Sequence, residues 1–267
     1  MSIRGRLLAL AIGGFVPLLV VGLTVLGIVW SQKQNQLNEG LEQQAELAAV
    51  VFDRWLDAQY QPLNTIASYP PNHLSDKPAL EENLKAALKN RPHWIDLRVL
   101  DASGKVVATE PADAGSLPPG LAEKLVGEVS GGLPDVETDW TRGEGRYLVA
   151  VAVPLEGGGA VVARIDGAAL KEPLYGITLP DRAIVTLLDQ RYRVVYRSQT
   201  PESAIGMDLS NSEFLSALQN QNTGLVVVKS SIDGVERVYG LGRVGNTGYI
   251  VMVGIPSEIL MRRPGDS

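Results

Sequence analysis

Six side chains are of the types that hold a small polar ligand. Asp96 and Arg98 alternate within "WIDLRVL", Trp140, Arg142 and Tyr147 are interleaved in "DWTRGEGRY", and Asp166 closes "GAVVARID". A carboxylate takes a bidentate arginine, an amine takes an aspartate, and an aromatic wall closes a concave site around both. Each residue also has a plainer reading. A strand-ending aspartate such as Asp166 caps the next helix by accepting its free N–H groups. Arginines on strands stand in solvent, and Trp140 and Tyr147 fill partial core with a polar tip left to bond. Farther along, Tyr196, Arg197, Tyr239 and Arg243 read as packing and surface.

Catalytic chemistry finds no support. His73 and His93 flank proline-containing turns and lack the spacing of a metal pair. No serine occupies a G-x-S-x-G elbow, and no nucleophile–base pair is visible. "GEG" and "GGG" read as hairpin turns, not phosphate loops. The chain has no cysteine, which removes disulfides, thiolate zinc sites and thiol nucleophiles. The expectation is a protein that is not an enzyme and needs no cofactor or metal. A net charge of −6 without a basic cluster also argues against nucleic acid as a partner.

The elements that carry these residues come in two similar series. "WIDLRVL" and "KVVATE" form a hairpin around "ASG", and the alternation of Ile95, Leu97 and Val99 with Asp96 and Arg98 predicts a half-buried strand. A helix follows in "PPGLAEKLVGEVSGG", begun by proline and ended by glycine. Strands then come in "DVETDWTR", "GRYLVAVAVPL" and "GGAVVARID". The second series runs "AIVTLLD", "YRVVYRS", a helix in "NSEFLSALQNQNTG", then "LVVVKSSID", "ERVYGLGRV" and "GYIVMVGIP". "LDASGKVV" and "LDQRYRVV" open the two alike. The intervals Asp101 to Asp189, Tyr147 to Tyr239 and Ile165 to Ile255 are all about 90 residues, the mark of internal duplication. Each unit is an antiparallel sheet of about five strands with a helix on a face, an α+β arrangement.

Ahead of the units, the run Leu7–Trp30 carries no charge and is long enough to cross a bilayer as a helix. Arg4 and Arg6 before it favour a cytoplasmic N-terminus. A signal anchor fits better than a cleaved signal, whose apolar region is shorter and ends in small residues. Both leave the rest of the chain outside the cytoplasm. From Ser31 a polar helix follows, with Leu41, Ala48 and Trp55 seven apart and Ala45, Phe52 and Ile66 interleaved. Such a stripe either packs on its own domain or pairs with a second copy. Pro62 is expected to kink its end. "YPPNHLSDKP" breaks the helix, and a short amphipathic helix follows over about Pro78 to Asn90, with Leu80, Leu84, Ala87 and Leu88 on one face.

This series resembles the double Cache sensor region of bacterial receptors: a signal-anchor helix, a long extracytoplasmic helix and two tandem PAS-like units. The phrases that carry the resemblance are "LYGITLPDRAIVTLLDQRYRVVYRS", "IGMDLSNSEFLSAL", "SSIDGVERVYGLGRV" and "GYIVMVGIPSEIL" in the membrane-proximal unit. The distal unit adds "LRVLDASGKVVATEP" and "GGGAVVARIDGAAL". The resemblance implies histidine kinases, diguanylate cyclases and chemoreceptors as relatives. It implies a bacterial inner-membrane protein with a periplasmic bulk and an amino acid or organic acid as ligand; the one apolar run gives a single span, and the stripe of the long helix gives a homodimer through it. In amino-acid-binding relatives an aspartate at the position of Asp166 meets the ligand's amine. The family's arginine before an adjacent Trp-Tyr pair is absent, and "DWTRGEGRY" offers similar types in another order. The second span and the output domain of such receptors are not in this sequence.

The expected organisation is a cytoplasmic N-terminus at 1–6, a transmembrane helix at 7–30 and a stalk helix at 31–69. A distal domain at 70–172, a proximal domain at 173–262 and a tail at 263–267 complete it. The expected function is small-molecule sensing in the distal unit and signalling through the long helix. The other reading is a ligand-free module that docks a partner receptor or binding protein.

Overall fold

The computed structural model describes residues 3–69, 76–139, 147–199, 201–210, 213–219 and 224–261, without the side chains of 1–19 and of scattered helix residues. Helix α1 spans Ile3–Ala67, 65 residues, about 100 Å at 1.5 Å per residue. It runs through Pro62 and ends five residues later, just ahead of the "YPPNHLSDKP" segment expected to break it. Leu63, Ile66 and Ala67, just beyond the proline, are buried, and that packing offsets the one hydrogen bond a proline removes. Among the described residues no helix is long and apolar enough to cross a membrane. Much of Leu7–Trp30 falls on side chains outside that set.

Helix α2 (Lys77–Lys89) starts where the Asp76 carboxylate accepts from the Ala79 amide at 3.4 Å, and it buries Leu80 and Leu84. Strands β1 (Trp94–Leu100) and β2 (Val106–Glu110), helix α3 (Leu121–Val129) and strands β3 (Asp135–Asp139), β4 (Leu148–Pro154) and β5 (Ala160–Asp166) make the distal unit. A 3₁₀ stretch over Gly167–Gly176 leads to the proximal unit. There β6 (Ile184–Leu188), β7 (Val194–Arg197), α4 (Pro201–Ala204), α5 (Glu213–Gln219), β8 (Leu225–Lys229), β9 (Glu236–Arg243), β10 (Ile250–Pro256) and α6 (Ser257–Met261) follow.

The strand orders are β2-β1-β5-β4-β3 and β7-β6-β10-β9-β8, one antiparallel topology used twice. The phrase common to both units is a hairpin turn. Asp101 Oδ1 accepts from the amides of Ser103 and Lys105 at 2.8 and 3.0 Å, and Asp189 Oδ1 from those of Arg191 and Arg193 at 2.9 Å each. The left-handed residue of the turn is Gly104 in the first unit and Tyr192 in the second. Two of the three expected intervals are true equivalences. The third is a coincidence, because Tyr147 precedes β4 while Tyr239 lies inside β9, paired with Gly254.

One side of each sheet rests on α1. Leu41, Ala45, Ala48, Phe52, Leu56, Leu63 and Ile66 are buried together with Val149, Val151 and Val161 of the distal sheet and Val185, Val251 and Val253 of the proximal one. Leu41, Ala48 and their interleaved partners are thus used within this chain, and Trp55 packs partly on the same core. A dimer seam cannot pass through them, because a buried knob has no surface left for a second copy. Close approach sets the composition here: a Cβ on Gly240 would sit 2.3 Å from the Leu41 carbonyl, and one on Gly242 2.3 Å from the Ala45 carbonyl.

The opposite faces carry satellite cores. In the distal unit α3 lays Leu121, Leu125 and Val129 over Leu100, Ala150, Ala152, Ala160 and Val162. Phe214 of α5 and Leu209 cover Val194, Tyr239 and Met252 in the proximal unit. With both faces of β1 covered, the strand is buried on both sides instead of one: Leu97 and Val99 are buried as expected, and the charged residues are buried too. Ile95 is 37% exposed, whereas Asp96 and Arg98 are 0% and 2%. A register shift between Trp94 and Asp96 against β5 displaces Ile95 from the alternation.

Candidate functional site

The central strands of the distal sheet bring three charged side chains to the face that α1 leaves. Arg98 and Asp96 come from β1, and Arg164 comes from β5 directly opposite Asp96 in register. All three are at most 5% exposed. Arg98 Nε donates to Asp96 Oδ1 at 3.0 Å and its Nη2 to Oδ2 at 3.2 Å. Arg164 Nε donates to Oδ2 at 2.8 Å, and its Nη2 donates there too. Arg98 Nη2 also reaches the Gly115 carbonyl. One carboxylate, Asp96, thus meets two buried guanidiniums, which cannot escape burial by losing a proton. A guanidinium fixed in this way is the group that recognises a carboxylate.

Around it, β2 places Thr109 across from Arg98, with its hydroxyl buried and unpartnered among the described residues. Lys124 of α3 pairs with the carboxylate of Glu137 on β3. Two residues back, the Asp135 Oδ2 has no partner among the described residues. Burial pushes its carboxyl up to about 6; the Val136 amide pulls the other way, while the Glu137 and Glu128 charges add to the rise.

The six expected site residues divide three ways. Asp96 and Arg98 meet directly. Asp166 Oδ1 accepts from the Ala168 amide at 2.8 Å and so caps the 3₁₀ stretch, the plainer of its two readings. Tyr147 is buried, its hydroxyl donating to the Gly167 carbonyl at 2.9 Å. Burial raises that hydroxyl well above the usual phenol range, with the Asp166 charge adding to it. Its ring lies where a Cβ on Gly167 would stand, 2.1 Å from Cε2. Trp140 and Arg142 lie outside the described residues. The residue that sequence reasoning missed is Arg164. Its signal was available only in part: it is the one charge inside the otherwise apolar "AVVARI", while its place opposite Asp96 comes from the strand pairing. His93, expected in solvent, pairs through Nε2 with Glu172 Oε1 at 2.7 Å while both side chains keep more than a third of their surface exposed. Among the described residues no group of three or more metal-ligating side chains converges.

No family model matches the chain, and no curated protein matches it by sequence. Solved structures do. The extracellular domain of rpHK1S-Z16, assigned as a histidine kinase, superposes with a TM-score of 0.62 at 18% identity, covering 88% of this chain and 98% of that one. The ligand-binding domain of the Pseudomonas fluorescens chemoreceptor CtaA, solved with L-isoleucine, gives 0.62 at 15% identity over 86% and 97%. That of the Campylobacter jejuni chemoreceptor Tlp3 with 4-methylisoleucine gives 0.61 at 13% over 88% and 96%. The fold is that of the double Cache extracellular sensor domains of histidine kinases and chemoreceptors.

Proposed function

We propose that this chain is the sensor module of a membrane-anchored bacterial receptor and that its distal unit binds a small carboxylate-bearing molecule. The observation that carries the reading is the buried Arg98 guanidinium, held by Asp96 beside the Thr109 hydroxyl, which has no partner among the described residues. It lies on the sheet face that a single helix and loops cover. The ligands of the similar chemoreceptor domains, L-isoleucine and 4-methylisoleucine, belong to the amino acids, which carry such a group. Arg98 would meet the carboxylate through Nη1, the nitrogen that Asp96 and Gly115 leave. Asp96 would orient both arginines, and Asp166, Trp140 and Arg142 would border the site, while Tyr147 belongs to the core on α1's side of the sheet.

We assign residues 7–30 as the anchor, 70–172 and 173–262 as the two units, and the bulk of the chain to the periplasm. Val20, Val21, Val25, Ile28 and Val29 support the anchor, each more than half exposed along α1, a stripe that only lipid or another apolar surface would cover. A homodimer through the long helix would use its outward side, where Leu47 and Val50 are exposed. The signal would pass to α1 if the ligand binds two arrangements of the helix unequally. Near-complete switching of such a pair needs about 5.5 kcal/mol of difference.

The test is a thermal-shift screen of the full chain against amino acids and organic acids. A true ligand at 100 times its dissociation constant should add about 2.7 kcal/mol of stability, and Arg98→Met should abolish that gain. If no carboxylate stabilises the protein, the reading fails in favour of a ligand-free module docking a partner. That second reading draws on Tyr147, whose hydroxyl is bonded to backbone and whose ring is buried.

A further inference from the structure

We infer that the proximal unit holds a second site, built for a carboxylate of formate to acetate size. A cavity lies on the face of the proximal sheet away from α1, between Thr186, Arg197 and Met252 on the strands and Phe214, Ser230 and Ile232 above them. Its volume is about 20 Å³, counted as space open to the centre of a water-sized sphere. One such sphere needs about 10–15 Å³, so the space admits one small group. One buried cation, Arg197, lines it; Lys229 is exposed, on the other face of β8 from Val228.

The arginine is held and yet incompletely bonded. Its side chain is 1% exposed. Nη1 donates to Thr186 Oγ1 at 3.3 Å and Nη2 to Asp233 Oδ2 at 2.7 Å, while the buried Nε has no partner among the described residues. Asp233 has little more to give. It also accepts from Arg237 Nη1 and Nη2 at 2.7 and 2.8 Å and from the Val235 amide at 3.2 Å. One aspartate thus serves two arginines, leaving a positive charge in excess beside the cavity. An anion accepting from Nε would supply both the missing bond and the missing charge. The apolar lining of Phe214, Val228 and Met252 suits a methyl group behind a carboxylate better than a fully hydrated inorganic ion.

The duplication supports the position independently. In the distal sheet Arg98 on the central strand pairs with Thr109 on the edge strand. Proximally the central strand carries Thr186 and the edge strand Arg197. The two types have exchanged strands, and each unit still sets a guanidinium and a threonine hydroxyl at one point of its outer face.

The experiment uses the full chain in chloride-free buffer and measures melting temperature against sodium acetate and formate, with sodium gluconate at equal ionic strength as a carboxylate too large to enter. A saturable rise with acetate or formate and none with gluconate is expected. Arg197→Met should weaken the apparent affinity at least about tenfold, the size of one charge-assisted bond. Arg98→Met, in the other unit, should leave it within about twofold, which separates this site from the distal one. Should Arg197→Met not fold, Val228→Leu fills the cavity with the charges intact and should cause the same loss. No saturable rise, a response to chloride alone, or a response that survives both proximal variants or disappears with Arg98→Met overturns the inference.

Discussion

At Asp135 a carboxyl sits where burial opposes its charge, pushed up to about 6 from an ordinary 3.8. A group raised in the folded state stabilises fully below its unfolded value and loses that contribution as pH rises through the folded one. Asp135 therefore costs stability above pH 6 and nothing below about 4. The unscreened cost of such a rise is ~3 kcal/mol, but the side chain is partly open to water, so about 1 kcal/mol is the better expectation. Asp135→Asn should gain about that much at pH 7 and nothing at pH 4 by urea denaturation; equal gains at both would assign the effect to something other than charge. At this scale the sequence was only partly legible. Asp96 and Arg98 stood out as charges in an alternating strand, but alternation predicted one wet face. It could not show that Arg164, distant in the chain, would arrive opposite Asp96 and let all three be buried.

Among the elements, α1 and β9 approach backbone to backbone, with Gly240 and Gly242 facing the carbonyls of Leu41 and Ala45. Gly242→Ala would drive a Cβ into that carbonyl and against the Ala49 methyl at 2.8 Å. Overpacking of this kind costs about 1–3 kcal/mol, to be read as a lowered urea midpoint at unchanged slope. An unchanged midpoint would mean that the helix lifts freely off the sheet. Most elements were legible because their periodicities were clean: the ten strands and α2, α3 and α5 lie where the pattern set them. Helix α1 was harder. Its stripe of Leu41, Ala45, Ala48 and Phe52 is what a coiled-coil seam and a sheet-packing helix both require, and only the glycines of β9, some 200 residues away, decide between them. Pro62 stands inside the helix because the packing of Leu63 and Ile66 outweighs the propensity of one residue.

Across the whole molecule the two units are joined by polar contacts as well as by the helix. Thr138 Oγ1 and Tyr249 Oη lie 2.8 Å apart, and Gln190 Nε2 donates to the Val136 carbonyl at 2.7 Å. Strand β3 so carries Glu137 toward the distal charged face and Thr138 toward the proximal unit. Tyr249→Phe would leave the buried Thr138 hydroxyl without this partner, at a cost of about 1–2 kcal/mol. If β3 couples the units, it should also split one unfolding transition into two by calorimetry. A single transition with no loss of stability would remove β3 from the coupling. The twofold plan was legible from "LDASGKVV" and "LDQRYRVV", since Asp101 and Asp189 make the same turn. Contacts between the units were not, because no local pattern records which strand edge meets which.

One helix serving as floor to two sheets also fixes how the protein can be divided. Cleaved between its halves, either fragment without α1 would bare the valines that now rest on it, Val149, Val151 and Val161 in one and Val185, Val251 and Val253 in the other. Such fragments should aggregate when expressed alone and recover solubility only when the Leu41–Ala67 stretch is supplied with them. The repeated topology thus yields two sheets but a single cooperative body, and either unit separated from the other would need its own copy of the spine.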